Sequence, residues 1–186
     1  MAVKPLNKVN SPSAHSENRM TELALDNPVC PAWTPFLGFA GICIGVVFAC
    51  AGSAFGTAKC GIGLASASVI NKSVIVRGLI APIMAGIIGI YGLVFAIVVL
   101  DSIRNDGYHV LKAYAHLGGG LSVGFTGLAA GLTIGIAGQT GIISFAKKPE
   151  LFVGLTLVLI FGEVLGIYGM VISLVLNSKS ADCVTK

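Results

Sequence analysis

The sequence predicts an all-α membrane protein, with four transmembrane helices arranged as two duplicated helical hairpins that assemble into a ring. Three observations predict it. The chain is 55% hydrophobic and only 11% charged, with a mean hydropathy of +0.90, whereas a soluble domain carries about 25% charged residues. Its 186 residues cannot hide that much apolar surface from water. Most of its 25 glycines lie inside apolar runs. In water a glycine weakens a helix by about 1 kcal/mol relative to alanine, but in lipid small residues let helix backbones approach closely. Finally, GIIGIYG at residues 86–92 returns as EVLGIYG at 163–169, an offset of 77 residues, as a duplicated hairpin with parallel copies requires.

Residues 1–34 are polar and contain Pro5, Pro12, Pro28 and Pro31. Without the apolar core of a signal peptide, they read as a loosely held tail. Span one covers residues 35–58 and span two 79–100, with Pro82 near its start. With the loop to residue 112 they make the first hairpin unit, 35–112. Span three covers 113–137, where His116 and many glycines lower the hydropathy. Span four covers 151–176, so the second unit is 113–176, followed by a C-terminal tail, 177–186. Each span has the roughly 20 residues that a bilayer crossing needs.

Charge orients the spans. The first hairpin loop carries Lys59, Lys72 and Arg77, and the second carries Lys147 and Lys148. In the middle loop Arg104 and Lys112 are offset by Asp101 and Asp106. The positive-inside rule puts both hairpin loops in the cytosol and the termini in the lumen or exterior. Asn71-Lys72-Ser73 fits a glycosylation acceptor but faces the cytosol in this topology, so it stays unmodified.

The net charge of +4 is scattered over loops and tails, without the basic and aromatic runs of a nucleic-acid-binding surface. Cys43 and Cys50, seven apart, read as small apolar packing residues on one helix face, and no CxxC is present. His15, His109 and His116 have no metal spacing with carboxylates, and His109 and His116 mark an interface near the lumenal surface. Gly118-Gly119-Gly120 lacks the Gly-Lys-Ser/Thr of a phosphate loop. The expectation is therefore no catalytic site, no metal and no cofactor.

Gly52 and Gly56 in span one, and Gly127, Gly131 and Gly135 in span three, recur every four residues on one face. They predict a tightly packed inner layer of spans one and three, with spans two and four outside. Gly86, Gly89, Gly162 and Gly166 are the corresponding close-packing positions of the outer spans. Such a thin, glycine-lined molecule gains by closing into a ring; the alternative is pairwise packing within a monomer.

Glu163 is the sole acidic residue inside any long apolar run, about twelve residues from either end of span four. A charge at that depth costs about 2.5–3.5 kcal/mol on insertion scales. The cost is relieved when the group is protonated against lipid and ionises only beside water or positive charge, which is the chemistry of a proton or ion carrier. At offset 77, Glu163 aligns with Gly86, so the chain holds one such carboxylate per four helices. Tyr91 and Tyr168 are the closest polar residues, placed to hydrogen-bond Glu163 or its partner or else to pack as aromatics. So few oxygens favour a proton over a metal cation. Three other readings are open: a helix–helix clamp built on Glu163, a pore or contact assembly, and a secondary transporter built on the repeat, for which a single carboxylate is thin support. The small-residue faces of spans one and three carry no charges, which argues against conduction through a ring centre.

The motifs GSAFGTAK (52–59), IMAGIIGIYGL (83–93), LGGGLSVG (117–124), GLAAG (127–131), PELFVG (149–154) and LIFGEVLGIYG (159–169) closely resemble those of the c-type proteolipids of eukaryotic vacuolar-type H⁺-ATPases, in the same order, over residues 36–176. The resemblance implies a rotor ring of homo- or hetero-oligomeric proteolipids. The ring turns against a stator subunit that supplies an essential arginine, and it is driven through central-stalk subunits docked on the cytosolic loops. ATP hydrolysis in a separate soluble sector would move protons into an acidic compartment (vacuolar, endosomal or similar), with lumenal termini. The family's proton-carrying glutamate maps onto Glu163. Gly162 stands where the family commonly has alanine, and the longer N-terminal tail fits a variant paralogous proteolipid of the same ring or a lineage-specific extension.

Overall fold

The computed structural model describes residues 33–103 and 108–179. Among them the chain is helical throughout: α1 (Thr34–Ile70), a short α2 (Val74–Gly78), α3 (Ile80–Ile103), α4 (Val110–Lys147) and α5 (Leu151–Lys179). Four segments are long and apolar enough to cross a membrane, with α2 and α3 counting as one, Val74–Ile103. Backbone hydrogen bonds run through the α2–α3 junction, from Leu79 N to Ile75 O and from Ile83 N to Leu79 O. The interruption has a local cause: Pro82 has no N–H to offer the carbonyl four residues back.

The helices are longer than the apolar runs alone indicate. At 37 and 38 residues, α1 and α4 are each about 55 Å long, well beyond the roughly 30 Å hydrocarbon core. Lys59 ends the first apolar run but not the helix, and it lies over the Phe55 ring at 5.7 Å. Beyond it α1 still packs on α4, since a Cβ built on Gly63 would come within 2.8 Å of the Gln139 backbone. Helix α1 stops where Asn71 turns extended and its N–H caps Ala67 O. Lys59 and Arg77, expected in the first hairpin loop, therefore sit on helices, and the connection shrinks to residues 71–73.

The buried face of α1 is made almost wholly of small residues: Gly38, Gly41, Gly45, Ala49, Gly52, Gly56, Cys60, Gly63 and Ala67, with Thr34 at its start. The outward faces are as apolar as the core, with Phe36, Val47, Ile83, Ile97 and Phe161 all well exposed. Large-against-small periodicity thus replaces the apolar-against-polar periodicity of a water-soluble helix. Most serine and threonine hydroxyls in the spans are satisfied within their own helix, as when Thr57 donates to Ser53 O (2.8 Å) and Thr133 to Ala129 O (2.9 Å), as a medium without water demands.

Helices α1 and α4 make the most extensive pairing, α3 packs on both, α5 packs on α4 and α3, and α1 and α5 do not touch. The inner pair is glycine on glycine. A Cβ on Gly52 would meet Gly127 O at 2.5 Å, one on Gly56 would meet Gly131 O at 2.8 Å, and one on Gly135 would meet Gly56 Cα at 3.0 Å. Above this layer Ala85, Ile88, Ala130, Ile134 and Leu159 form the main apolar cluster, with Phe95, Val99 and Val123 in a second.

Candidate functional site

Glu163 lies midway along α5, half-buried where α3, α4 and α5 converge. Its glycine neighbours create the site. Gly162 and Gly166 are buried. A Cβ on Gly162 would press on Ile134 (3.1 Å), and one on Gly166 would touch the Tyr91 ring and Ala130 at 3.4–3.5 Å. Removing those side chains brings α5 down onto α4 and leaves a bed for the Tyr91 ring. From that bed the Tyr91 hydroxyl donates to Glu163 Oε1 at 3.0 Å. The carboxylate is thus held by a single phenol. Among the described residues no group of three His, Cys, Asp or Glu converges.

The structure separates the two tyrosines. Tyr91 is on the carboxylate, whereas Tyr168 is 59% exposed on the outer face of α5. It also separates the glycines. Gly52, Gly56, Gly127, Gly131, Gly135, Gly162 and Gly166 lie at helix contacts, and Gly89 is within 3.4 Å of Ser53 Oγ by its added Cβ. Gly86 corrects the expectation of close packing: it faces outward, with nothing within 4 Å of an added Cβ. Its carbonyl accepts from Ser53 Oγ at 3.4 Å. Cys43 and Cys50 are likewise exposed rather than packed within the chain. Among the described residues the buried cysteine is Cys60, whose thiol reaches Ile134 O at 3.5 Å. A groove of about 390 Å³ between α4 and α5, lined by Thr140, Gly141 and Leu155 among others, lies toward the hairpin loop and includes neither Glu163 nor Tyr91.

At the opposite end of the bundle is a polar cluster that sequence reasoning missed. His116 is 1% exposed, enclosed within the chain. Its Nε2 meets Asn177 Oδ1 at 2.7 Å, so that nitrogen donates and Nδ1 is left to accept from the Tyr108 hydroxyl. The cluster ties the end of α5 to the start of α4, which His109 caps by accepting from Leu111 N at 3.0 Å. Burial pushes the Tyr108 phenol up to about 12. No local motif announces a contact between residues 116 and 177.

A four-helix membrane protein built from two glycine-packed hairpins, with one carboxylate midway along a membrane-spanning helix, defines a class of small proteolipids. The ATP synthase C-subunit family matches twice, at residues 40–99 and 117–176; the second match begins and ends 77 residues after the first, the offset of the internal repeat. The chain belongs to this family. It is 45% identical to subunit c′ of the V-type proton ATPase of Neurospora crassa over 87% of this chain and 99% of that protein. It is 45% identical to subunit c of the V-type proton ATPase of Candida tropicalis (84% and 98%), and 46% identical to the 16 kDa proteolipid subunit c of the V-type proton ATPase of Ovis aries (80% and 96%). These relatives are membrane proteolipids, not catalytic subunits, and the chain is a multi-pass, non-catalytic membrane protein of the same kind.

Proposed function

We propose that the chain is a proton-carrying subunit of the rotor ring of a vacuolar-type ATPase, and that Glu163 is the group that carries the proton. The observation that carries this reading is the Tyr91–Glu163 contact at 3.0 Å, which holds a lone carboxylate at mid-span, half-buried and reachable from the outer face of α5. Facing lipid, the carboxyl is neutral, because charge there is costly. Facing a stator arginine, it ionises and releases its proton. Rotation driven by ATP hydrolysis in a separate sector carries each reloaded site round, from the cytosolic access path to the lumenal one. A proton is favoured over sodium because, among the described residues, the Tyr91 hydroxyl is the one side-chain oxygen bonded to Glu163, where sodium requires several oxygens.

In the same reading the turn at 71–73 and the α4–α5 turn lie in the cytosol, where central-stalk subunits bind, and the termini lie in the lumen of an acidic organelle. The test is Glu163→Gln in cells, scored for ring assembly and for compartment acidification. Assembly with acidification abolished is expected. Retained acidification overturns the proposal, and lost assembly favours the helix-clamp reading.

A further inference from the structure

Side-chain hydrogen bonds from two other helices pin α5 at two depths. At mid-span Tyr91 of α3 donates to Glu163. About four turns further on, about 21 Å along the helix, Asn177 accepts from His116 of α4. Between these pins α5 buries glycine and serine alone, at Gly166, Gly169 and Ser173. Large side chains add little grip there, so the pins carry more of the hold.

The second pin is built on a titratable group that the Glu163 mechanism does not use. His116 is 1% exposed, and both ring nitrogens are engaged. Nε2–H donates to Asn177 Oδ1 at 2.7 Å, and Nδ1 accepts from the Tyr108 hydroxyl. Tyr108 is half-buried and lies outside the spans, so its hydroxyl joins the enclosed ring to the water at this end. Helix α1 closes the far side: a Cβ on Gly41 would meet His116 O, and one on Gly38 would meet the Tyr108 hydroxyl, both at 2.6 Å. Of the charged groups at this end, Lys112 is one turn earlier on α4 and 6% exposed, and its charge acts on the imidazole. Asp101 of α3 and Lys179 of α5 are exposed, and His109 is engaged in capping α4. Among the described residues no carboxylate acts on the ring.

Proton uptake at Nδ1 undoes this arrangement. The Tyr108 hydroxyl passes its hydrogen to Nδ1 while the phenolic oxygen takes one from water. The phenol stays neutral and the imidazole gains one positive charge. Nδ1 is then a donor, and Tyr108 must turn its own O–H away. An enclosed cation near a second cation, with no carboxylate to pair it, is costly. The cost is relieved when the ring swings out to water and lets go of Asn177. We infer that His116 is a second proton-binding site, separate from Glu163, and that its protonation unlatches this end of α5 from α4. In the topology of the preceding subsection, on which the source of the proton rests, this end faces the lumen. The acidity of the compartment then frees one pin of the helix that carries Glu163.

Hydrogen exchange of the full-length chain in its assembled ring, read by mass spectrometry, tests this. The pH is lowered from about 7.5 to about 5.5, across the range in which an imidazole in water changes charge, and rates are corrected for intrinsic exchange. Opening of residues 108–116 and 173–179 should rise by up to about tenfold per pH unit, as uptake of one proton requires, with residues 85–100 unchanged. Wild-type protection that does not respond to acid overturns the inference. His116→Gln offers an amide donor to Asn177 and an acceptor to Tyr108 but binds no proton, so its acid response should vanish. Asn177→Asp supplies the imidazolium with a carboxylate, so acid should hold α5 in place. An acid opening as large as wild type in either variant assigns the response to another group and overturns the inference. The latch needs neither rotation nor Glu163, so rings carrying Glu163→Gln should open identically. Acidification that survives Glu163→Gln therefore sinks the proton-carrier reading and leaves the latch standing, while an acid-insensitive latch fails whatever Glu163 does.

Discussion

Across 72 residues of chain, the hydroxyl of Tyr91 meets Glu163 Oε1 at 3.0 Å, and the ring that delivers it rests on the bare backbone of Gly166. Tyr91→Phe keeps the ring on its bed and deletes only the hydroxyl. The chain should fold and assemble normally. Proton transport should fall severalfold, since losing a bond worth on the order of 1 kcal/mol corresponds to roughly a fivefold change. Acidification rates in sealed vesicles, normalised to the amount of assembled ring, check this; an unchanged rate removes Tyr91 from the mechanism.

Glycine contacts between α1 and α4 should be intolerant where backbones touch and tolerant where they do not. A Cβ on Gly131 collides with the Gly52 backbone, whereas one on Gly154 meets nothing within 4 Å. Gly131→Val should destabilise the purified protein by about 1–3 kcal/mol or more through overpacking. Gly154→Ala should be neutral or slightly stabilising, because alanine favours the helix by up to about 1 kcal/mol. Thermal unfolding in detergent distinguishes the two, and equal behaviour contradicts the packing described.

The fold was legible because small residues mark contact faces as clearly as polar ones mark solvent in a water-soluble protein. The GIYG repeat revealed the duplication, and Glu163 stood out as a lone acid in an apolar run. Helix ends were not legible. Lys59 looked like a boundary, yet α1 continues to Ile70 because leaving the hydrocarbon does not require leaving the helix. Gly86 looked like a packing glycine, but spacing along a helix does not say which face has a neighbour in the same chain. Equivalent sequence positions of Tyr91 and Tyr168 concealed unequal surroundings, since only one has a second hairpin beside it. The Tyr108–His116–Asn177 cluster joins residues that no local pattern connects.

That cluster predicts a pH limit. Tyr108 lies outside the spans, and burial raises its phenol from 10.0 to about 12. The folded protein therefore holds this proton more tightly than the unfolded chain does. The associated stability is complete below pH 10 and is lost as pH climbs through about 12. The melting temperature should fall between these values, and Tyr108→Phe should flatten that part of the profile. An identical decline in the variant assigns the effect elsewhere.

Orientation has its own test at the turn between α1 and α2. Asn71 Oδ1 accepts from Ser73 N and Ser73 Oγ at 3.1 and 2.9 Å, within an exposed acceptor triplet. With this turn in the cytosol, protein made in a glycosylating cell should show no mobility shift on glycosidase treatment. A sugar at Asn71 inverts the proposed topology.

Reversible protonation of Glu163 is most directly measured by carbodiimide labelling of the assembled ring, read by peptide mass spectrometry across a pH series. Carbodiimides react with the protonated carboxyl. The proposed mechanism predicts modification at Glu163 that slows as pH rises and blocks proton transport in proportion. A residue that stays unmodified at every pH in an intact ring, or transport that continues after it is fully modified, contradicts it.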